Sequence, residues 1–113
     1  MRANDVHQNL ANLSRELVEL LTEYQAANIA KAKAEQTYKV AYASAYITAE
    51  GSIEERKQRA TLATADAARD AAIADVVFDN LRAALRVLGQ RLDAGRTIAS
   101  TIRAEGIASG VGT

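Results

Sequence analysis

The chain has 113 residues, 25 of them alanine and none of them proline, cysteine or tryptophan, and its 14 basic and 14 acidic residues leave no net charge. This length suits one domain, and the lack of cysteine excludes a disulfide framework. No stretch approaches the ~18 consecutive apolar residues of a membrane helix, and no basic segment followed by an apolar run indicates a secretion signal. We therefore expect a soluble cytoplasmic protein with no membrane partner.

Two long ladders of mostly apolar residues repeat in alternating steps of three and four. Residues spaced in this way lie along one side of a helix, and a strict seven-residue register is typical of a coiled-coil seam. The first ladder contains one charged residue, Lys31, and the second contains none. The first ladder is Leu10, Leu13, Leu17, Leu20, Tyr24, Ala27, Lys31, Ala34, Tyr38, Ala41, Ala45 and Thr48, and the second is Ala60, Thr64, Ala67, Ala71, Ala74, Phe78, Leu81, Leu85, Leu88, Leu92, Gly95, Ala99 and Ile102.

A short turn sequence separates the ladders. Gly51 can adopt the left-handed conformation that ends a helix, and Ser52 followed by Glu55 forms a capping box that starts the next helix. The pattern predicts an all-α fold of one domain, a long antiparallel two-helix hairpin with helices at about residues 4–50 and 53–104. The alternative is one continuous rod, which would place a glycine and a serine in the middle of a helix.

The ladder pattern ends after Ile102. Residues 105–113 contain three glycines among small residues, which disfavours further helix. We expect this segment to form a tail, and its Ile107 and Val111 could dock into a groove on a neighbouring copy of the chain.

Further apolar residues lie outside the ladders, where a single hairpin cannot bury them. They recur every eleven residues, which is close to three helical turns, so each set forms a nearly straight stripe. Isolated exposed apolar residues are normal on protein surfaces, but complete stripes favour association into a four-helix or larger bundle, most simply a symmetric dimer. The predicted stripes are Val18, Ile29 and Val40; Leu62, Ile73 and Ala84; and Val76, Val87 and Ile98.

Arginine is concentrated near the carboxyl end. Residues 80–113 hold five arginines against Asp93 and Glu105, a net charge of +3. Arginines can contact nucleic-acid phosphates, but such surfaces are usually more basic and often carry aromatic residues, and no aromatic residue follows Phe78. Alternatively, the arginine stems shield the seam from water. The candidate nucleic-acid contacts are Arg82, Arg86, Arg91, Arg96 and Arg103.

Residue types that carry catalytic chemistry are scarce. His7 is the only histidine, and no Glu-x-x-His pattern of a di-metal helix bundle is present. The segment Gly89–Thr97 differs from a phosphate-binding loop in its glycine spacing and has arginine where lysine is required. We expect no catalytic residue, metal site or cofactor, and hence a non-enzymatic protein.

Six segments of the chain, spread over roughly residues 35–105, carry a family resemblance. They are Tyr38–Ser52, Glu55-Arg56, Ala60–Thr64, Leu81-Arg82, Arg91–Arg96 and Ile102–Glu105. Together they resemble small all-helical proteins encoded by tailed phages and prophages of actinobacteria. The resemblance implies a gene near those for single-strand-binding or annealing proteins and nucleases, and a location in the host cytoplasm.

Two functions fit these features. The first is a phage accessory protein that self-associates and acts with a phage or host protein of DNA replication or recombination, or with DNA itself through the arginines. The second is a structural component of the virion, a scaffold or an assembly chaperone, with no role in binding nucleic acid.

Overall fold

The computed structural model describes the backbone of residues 3–111 and the side chains of residues 3–106. Over that range the chain forms three helices, α1 (Ala3–Thr48), α2 (Ile53–Ala63) and α3 (Ala65–Val111). No residue between 3 and 111 lies in a strand. The predicted all-α class and the pairing of two long helical segments are therefore confirmed.

The chain forms two compact units, each built from a segment of α1 and a segment that follows the turn. The turn unit comprises residues 24–81, and the terminal unit comprises residues 3–23 and 82–111 of the described chain. In the turn unit, Tyr24 packs against Phe78 and Lys31 pairs with Asp75. Since a higher number in α1 meets a lower number in α3, the two segments run antiparallel.

The terminal unit is antiparallel by the same criterion. A side chain placed on Gly95 would meet Leu10 at 2.9 Å, whereas Leu20 shares a groove with Ala83. Gly95 thus lets the two helices approach closely beside Leu10, because glycine has no Cβ atom.

The turn has the N-cap that the sequence predicts, with one of the two hydrogen bonds of a capping box. α1 ends at Thr48, two residues before the predicted boundary, and Gly51 has a φ of +113°, which side-chain-bearing residues rarely adopt. The Ser52 Oγ accepts a hydrogen bond of 3.2 Å from the backbone N–H of Glu55. Ser52 therefore satisfies one of the free N–H groups at the start of α2.

Within each unit the predicted ladders form the seam. Every ladder residue except Thr48 is buried or half-buried. Val6, which is 4% exposed, continues the first ladder by one step and was not predicted. The buried side chains are Ala27, Ala60 and Thr64 in the turn unit and Val6, Leu88, Leu92 and Ala99 in the terminal unit.

The second helical segment differs from the prediction at Thr64, which interrupts it between α2 and α3. The Thr64 φ and ψ are −111° and 15°, and its Oγ donates a 2.6 Å hydrogen bond to the carbonyl of Ala60. The same carbonyl accepts the Thr64 N–H at 3.1 Å. A threonine hydroxyl that bonds back to the preceding turn competes with the helical hydrogen bonds and distorts the helix locally.

The end of the chain also differs from the prediction. α3 continues to Val111, whereas the glycines led us to expect a tail from residue 105. Each glycine costs a helix only about 1 kcal/mol relative to alanine, and no proline blocks the helix here. The side chains of Ile107 and Val111 lie outside the described part, so their predicted docking stays a prediction.

Replacing Gly51 by alanine should destabilise the fold. The positive φ would cost about 1–2 kcal/mol, and the new Cβ would press on the Glu55 side chain. Gly89→Ala is the matched control, because a Cβ at Gly89 meets nothing within 4 Å and should stabilise α3 by about 0.5–1 kcal/mol. Urea unfolding of both variants measures this difference, and equal free energies of unfolding would contradict it.

Candidate interaction surfaces

The apolar residues predicted to form an interface are all exposed. Among the eight larger side chains the exposed fractions range from 44% at Ile98 to 79% at Leu62, and Ala84 is exposed as well. The stripe residues of the turn unit are Ile29, Val40, Leu62, Ile73 and Val76, and those of the terminal unit are Val18, Ala84, Val87 and Ile98. Four further large apolar residues, Leu21, Ile47, Ile53 and Val77, are exposed and were not predicted. Their position outside the ladders is the sequence signal that could have identified them.

The five candidate arginines lie in the terminal unit but on two different edges of α3. Arg82, Arg96 and Arg103 are separated by multiples of seven residues and therefore occupy the same position in the coiled-coil repeat. Arg86 lies one turn beyond Arg82 on the same side, whereas Arg91 lies half a turn away. The sequence-based cluster is therefore a set of four arginines on one edge and a single arginine on the other.

The four arginines that share an edge are exposed. Arg96 lies 3.7 Å from Asp93, and Arg103 donates a 3.5 Å hydrogen bond to Ser100. Both partners lie three residues earlier in α3, and exposed pairs of this kind contribute little to stability. We call the edge that carries Arg82, Arg86, Arg96 and Arg103 the arginine edge.

The opposite edge of the terminal unit carries an open groove of about 550 Å³. Leu20, Val87 and Leu88 line it together with two alanines. Its remaining lining residues are charged and comprise the carboxylates Glu16, Glu19 and Glu23 and the arginine Arg91.

A second groove of about 240 Å³ lies along the same edge. It is lined by Leu10, Leu13 and Ile98 among others, and Arg91 lines both grooves. We call the edge that carries both grooves the groove edge. Sequence reasoning missed it, although the spacing of Glu16, Glu19 and Glu23 by three and four residues indicates one side of α1.

The one charged residue of the seams, Lys31, is paired inside the turn unit. Its Nζ lies 3.0 Å from an Asp75 carboxylate oxygen and 4.5 Å from the centre of the Phe78 ring. The hydrogen bond to Asp75 raises the pKa of Lys31 above its ordinary value, and the charges of Asp75, Glu35 and Asp79 add to this, while partial burial acts in the opposite direction. Lys31 thus keeps its charge at a half-buried position because Asp75 and the face of Phe78 replace part of its water.

Two kinds of feature are absent from the described residues. No three histidine, aspartate or glutamate side chains in this part of the chain are grouped so that they could hold a metal ion. Within the same residues, no helix is long and apolar enough to cross a membrane. His7, the only histidine, is exposed near the start of α1.

Comparisons of the chain with models of known protein families, with curated proteins and with solved structures found no match. The resemblance to phage-encoded helical proteins stays a prediction from the sequence.

Replacing Asp75 by asparagine should lower the thermal unfolding temperature at neutral pH, because Lys31 loses its charged partner. Since the folded-state pKa of Lys31 is raised above the ordinary 10.5, the stabilisation from this pair is fully present below 10.5 and is lost as pH rises through the folded-state value. The difference in unfolding temperature between wild type and Asp75→Asn should therefore disappear in strong alkali. Asp70→Asn, a change at an exposed acid elsewhere in α3, is the control, and a gap that persists above the folded-state pKa would contradict the prediction.

Proposed function

We propose that this chain is a non-enzymatic interaction protein that assembles with further copies of itself through its exposed apolar stripes. The assembly is a four-helix or larger bundle, in which the stripes of one copy cover those of another. The observation that carries this proposal is the exposure of all nine stripe residues, which lie outside the seam between the two helices.

Burial within a single copy supports the proposal. Seven of the described side chains are buried, and three of those are alanines. By contrast, large apolar side chains such as Leu62, Val18 and Val76 are more than half exposed. Taking a fully exposed side chain of this kind out of water contributes about 1.5–3 kcal/mol, and these side chains would gain the share that is still exposed. A second copy would therefore bury apolar surface that one copy leaves in water.

We further propose that the assembly acts alongside a protein of DNA replication or recombination. This part depends on the sequence resemblance to phage-encoded helical proteins. Direct contact with nucleic acid is the weaker form of the proposal. It would fall on the arginine edge, which carries four of the five candidate arginines.

Light scattering of the purified chain over a range of concentrations tests self-association. Mixing the chain with single-stranded and duplex DNA at low and moderate salt tests nucleic-acid binding in the same experiment, because phosphate contacts weaken steeply with salt. A wild type that stays monomeric at every concentration would refute the proposed function.

Replacing Ile29 and Ile73 together by glutamine should weaken self-association at least about tenfold, since the two changes together remove apolar burial worth more than about 1.4 kcal/mol. Both side chains are more than half exposed in the single copy, so its stability should change little. Ile53→Gln is the matched control, because Ile53 is 65% exposed but belongs to no stripe. Sedimentation equilibrium measures the dissociation constants, and a double variant that assembles like wild type would contradict the stripe interface.

A further inference from the structure

The two edges of the terminal unit carry opposite charge. Within the described residues, the groove edge carries Arg91 and five carboxylates, and the arginine edge carries Asp93 and four arginines. Arg15 takes the outermost position of the α1 repeat, between the two edges, and is counted on neither. The net charge is therefore −4 on the groove edge and +3 on the arginine edge. The groove-edge carboxylates are Asp5, Glu16, Glu19, Glu23 and Glu105.

On each edge one helix supplies charged side chains and the other helix supplies apolar side chains. The two helices exchange these roles between the groove edge and the arginine edge. On the groove edge, α1 supplies carboxylates and α3 supplies apolar residues such as Val87 and Ile98. On the arginine edge, α3 supplies the arginines, and α1 supplies Val18 and Leu21, which lie on the side of α1 away from Glu16 and are 64% and 42% exposed.

We propose that the groove edge of one copy receives the arginine edge of a second copy. This inference rests on the self-association proposed above and specifies which surfaces pair. The acidic side of α1 then faces the arginines of the partner's α3, and the apolar side of α3 faces the apolar residues of the partner's α1. Both halves of the interface are complementary only when opposite edges meet.

The spacing of the charges fits this arrangement. Glu16 and Glu19 are one turn apart along α1, and Arg82 and Arg86 are one turn apart along α3. An α3 segment that runs parallel to α1 of the other copy can therefore oppose two carboxylates with two guanidinium groups. Pairing two groove edges would instead set the carboxylates of α1 against other carboxylates or against the apolar side of α3, and both contacts disfavour association.

Pairing of unlike edges has a consequence for assembly size. Each copy that has one edge covered still presents the other edge, so the contact is heterologous and does not close by itself at a dimer. Assemblies should therefore grow with protein concentration and shrink as salt screens the charges.

The test uses two charge-reversed versions of the full chain. The first carries Glu16→Lys, Glu19→Lys and Glu23→Lys on the groove edge, and the second carries Arg82→Glu, Arg86→Glu and Arg96→Glu on the arginine edge. All six side chains are exposed, and lysine, arginine and glutamate have similar helix propensities. Circular dichroism checks folding, and versions with glutamine at the same positions replace any variant that unfolds.

We expect each charge-reversed variant alone to self-associate at least about tenfold more weakly than wild type at low salt, because each contact then opposes like charges. An equal mixture of the two should restore association, since the reversed edges are complementary to each other. Sedimentation velocity of the wild type, each variant and the mixture measures this.

Four other outcomes overturn the inference. If the variant with the reversed arginine edge assembles like wild type, groove edges pair with each other. If the variant with the reversed groove edge assembles like wild type, arginine edges pair with each other. A mixture that fails to associate excludes charge pairing between edges. If the second variant assembles normally but loses salt-sensitive binding of single-stranded DNA that the wild type shows, the arginines bind nucleic acid. These outcomes leave the proposed self-association intact, whereas a monomeric wild type refutes it.

Discussion

Two packed helices can bury only the stripes of residues that face each other, and this limit governs the rest of the structure. Alanine, threonine and glycine occupy much of the seam, so the helices can approach closely but bury little apolar area per residue. Ala60, at 0% exposure, is the most completely buried of the described residues, and Lys31 lies in the seam with Asp75 and the Phe78 ring as its partners. Apolar residues beyond the seam therefore remain in contact with water in a single copy.

The sequence predicted the seam well because one physical rule sets it. A residue that falls every three or four positions on a helix must face the same way, and this spacing alone assigns Leu88 and Ala99 to the core, where both are buried. The turn was predictable for a similar reason, since Gly51 and Ser52 have conformational and capping preferences that few other residues share. Val6 fits the same rule and was missed only because the predicted ladder begins at Leu10.

The helix interruption at Thr64 was harder to predict, because other threonines that make the same local hydrogen bond do not interrupt a helix. Thr22, Thr97 and Thr101 bond back to the preceding turn as Thr64 does, yet helix continues around them. Thr64 differs in being almost fully buried, which depends on the opposite helix. The groove edge likewise requires residues of α1 and α3 together. In contrast, the division of the arginines between two edges follows from their heptad positions and could have been predicted.

The contact between Leu10 and Gly95 has a consequence for synthesis on the ribosome. About 85 residues separate the two, so at roughly 5–20 residues per second the first leucines of α1 wait roughly 4–17 s for their partner. Residues beside the four-residue turn can pair much sooner, because short loops close quickly. The nascent chain thus exposes an unpaired leucine ladder for seconds, long enough for a chaperone or a finished copy of the protein to bind it.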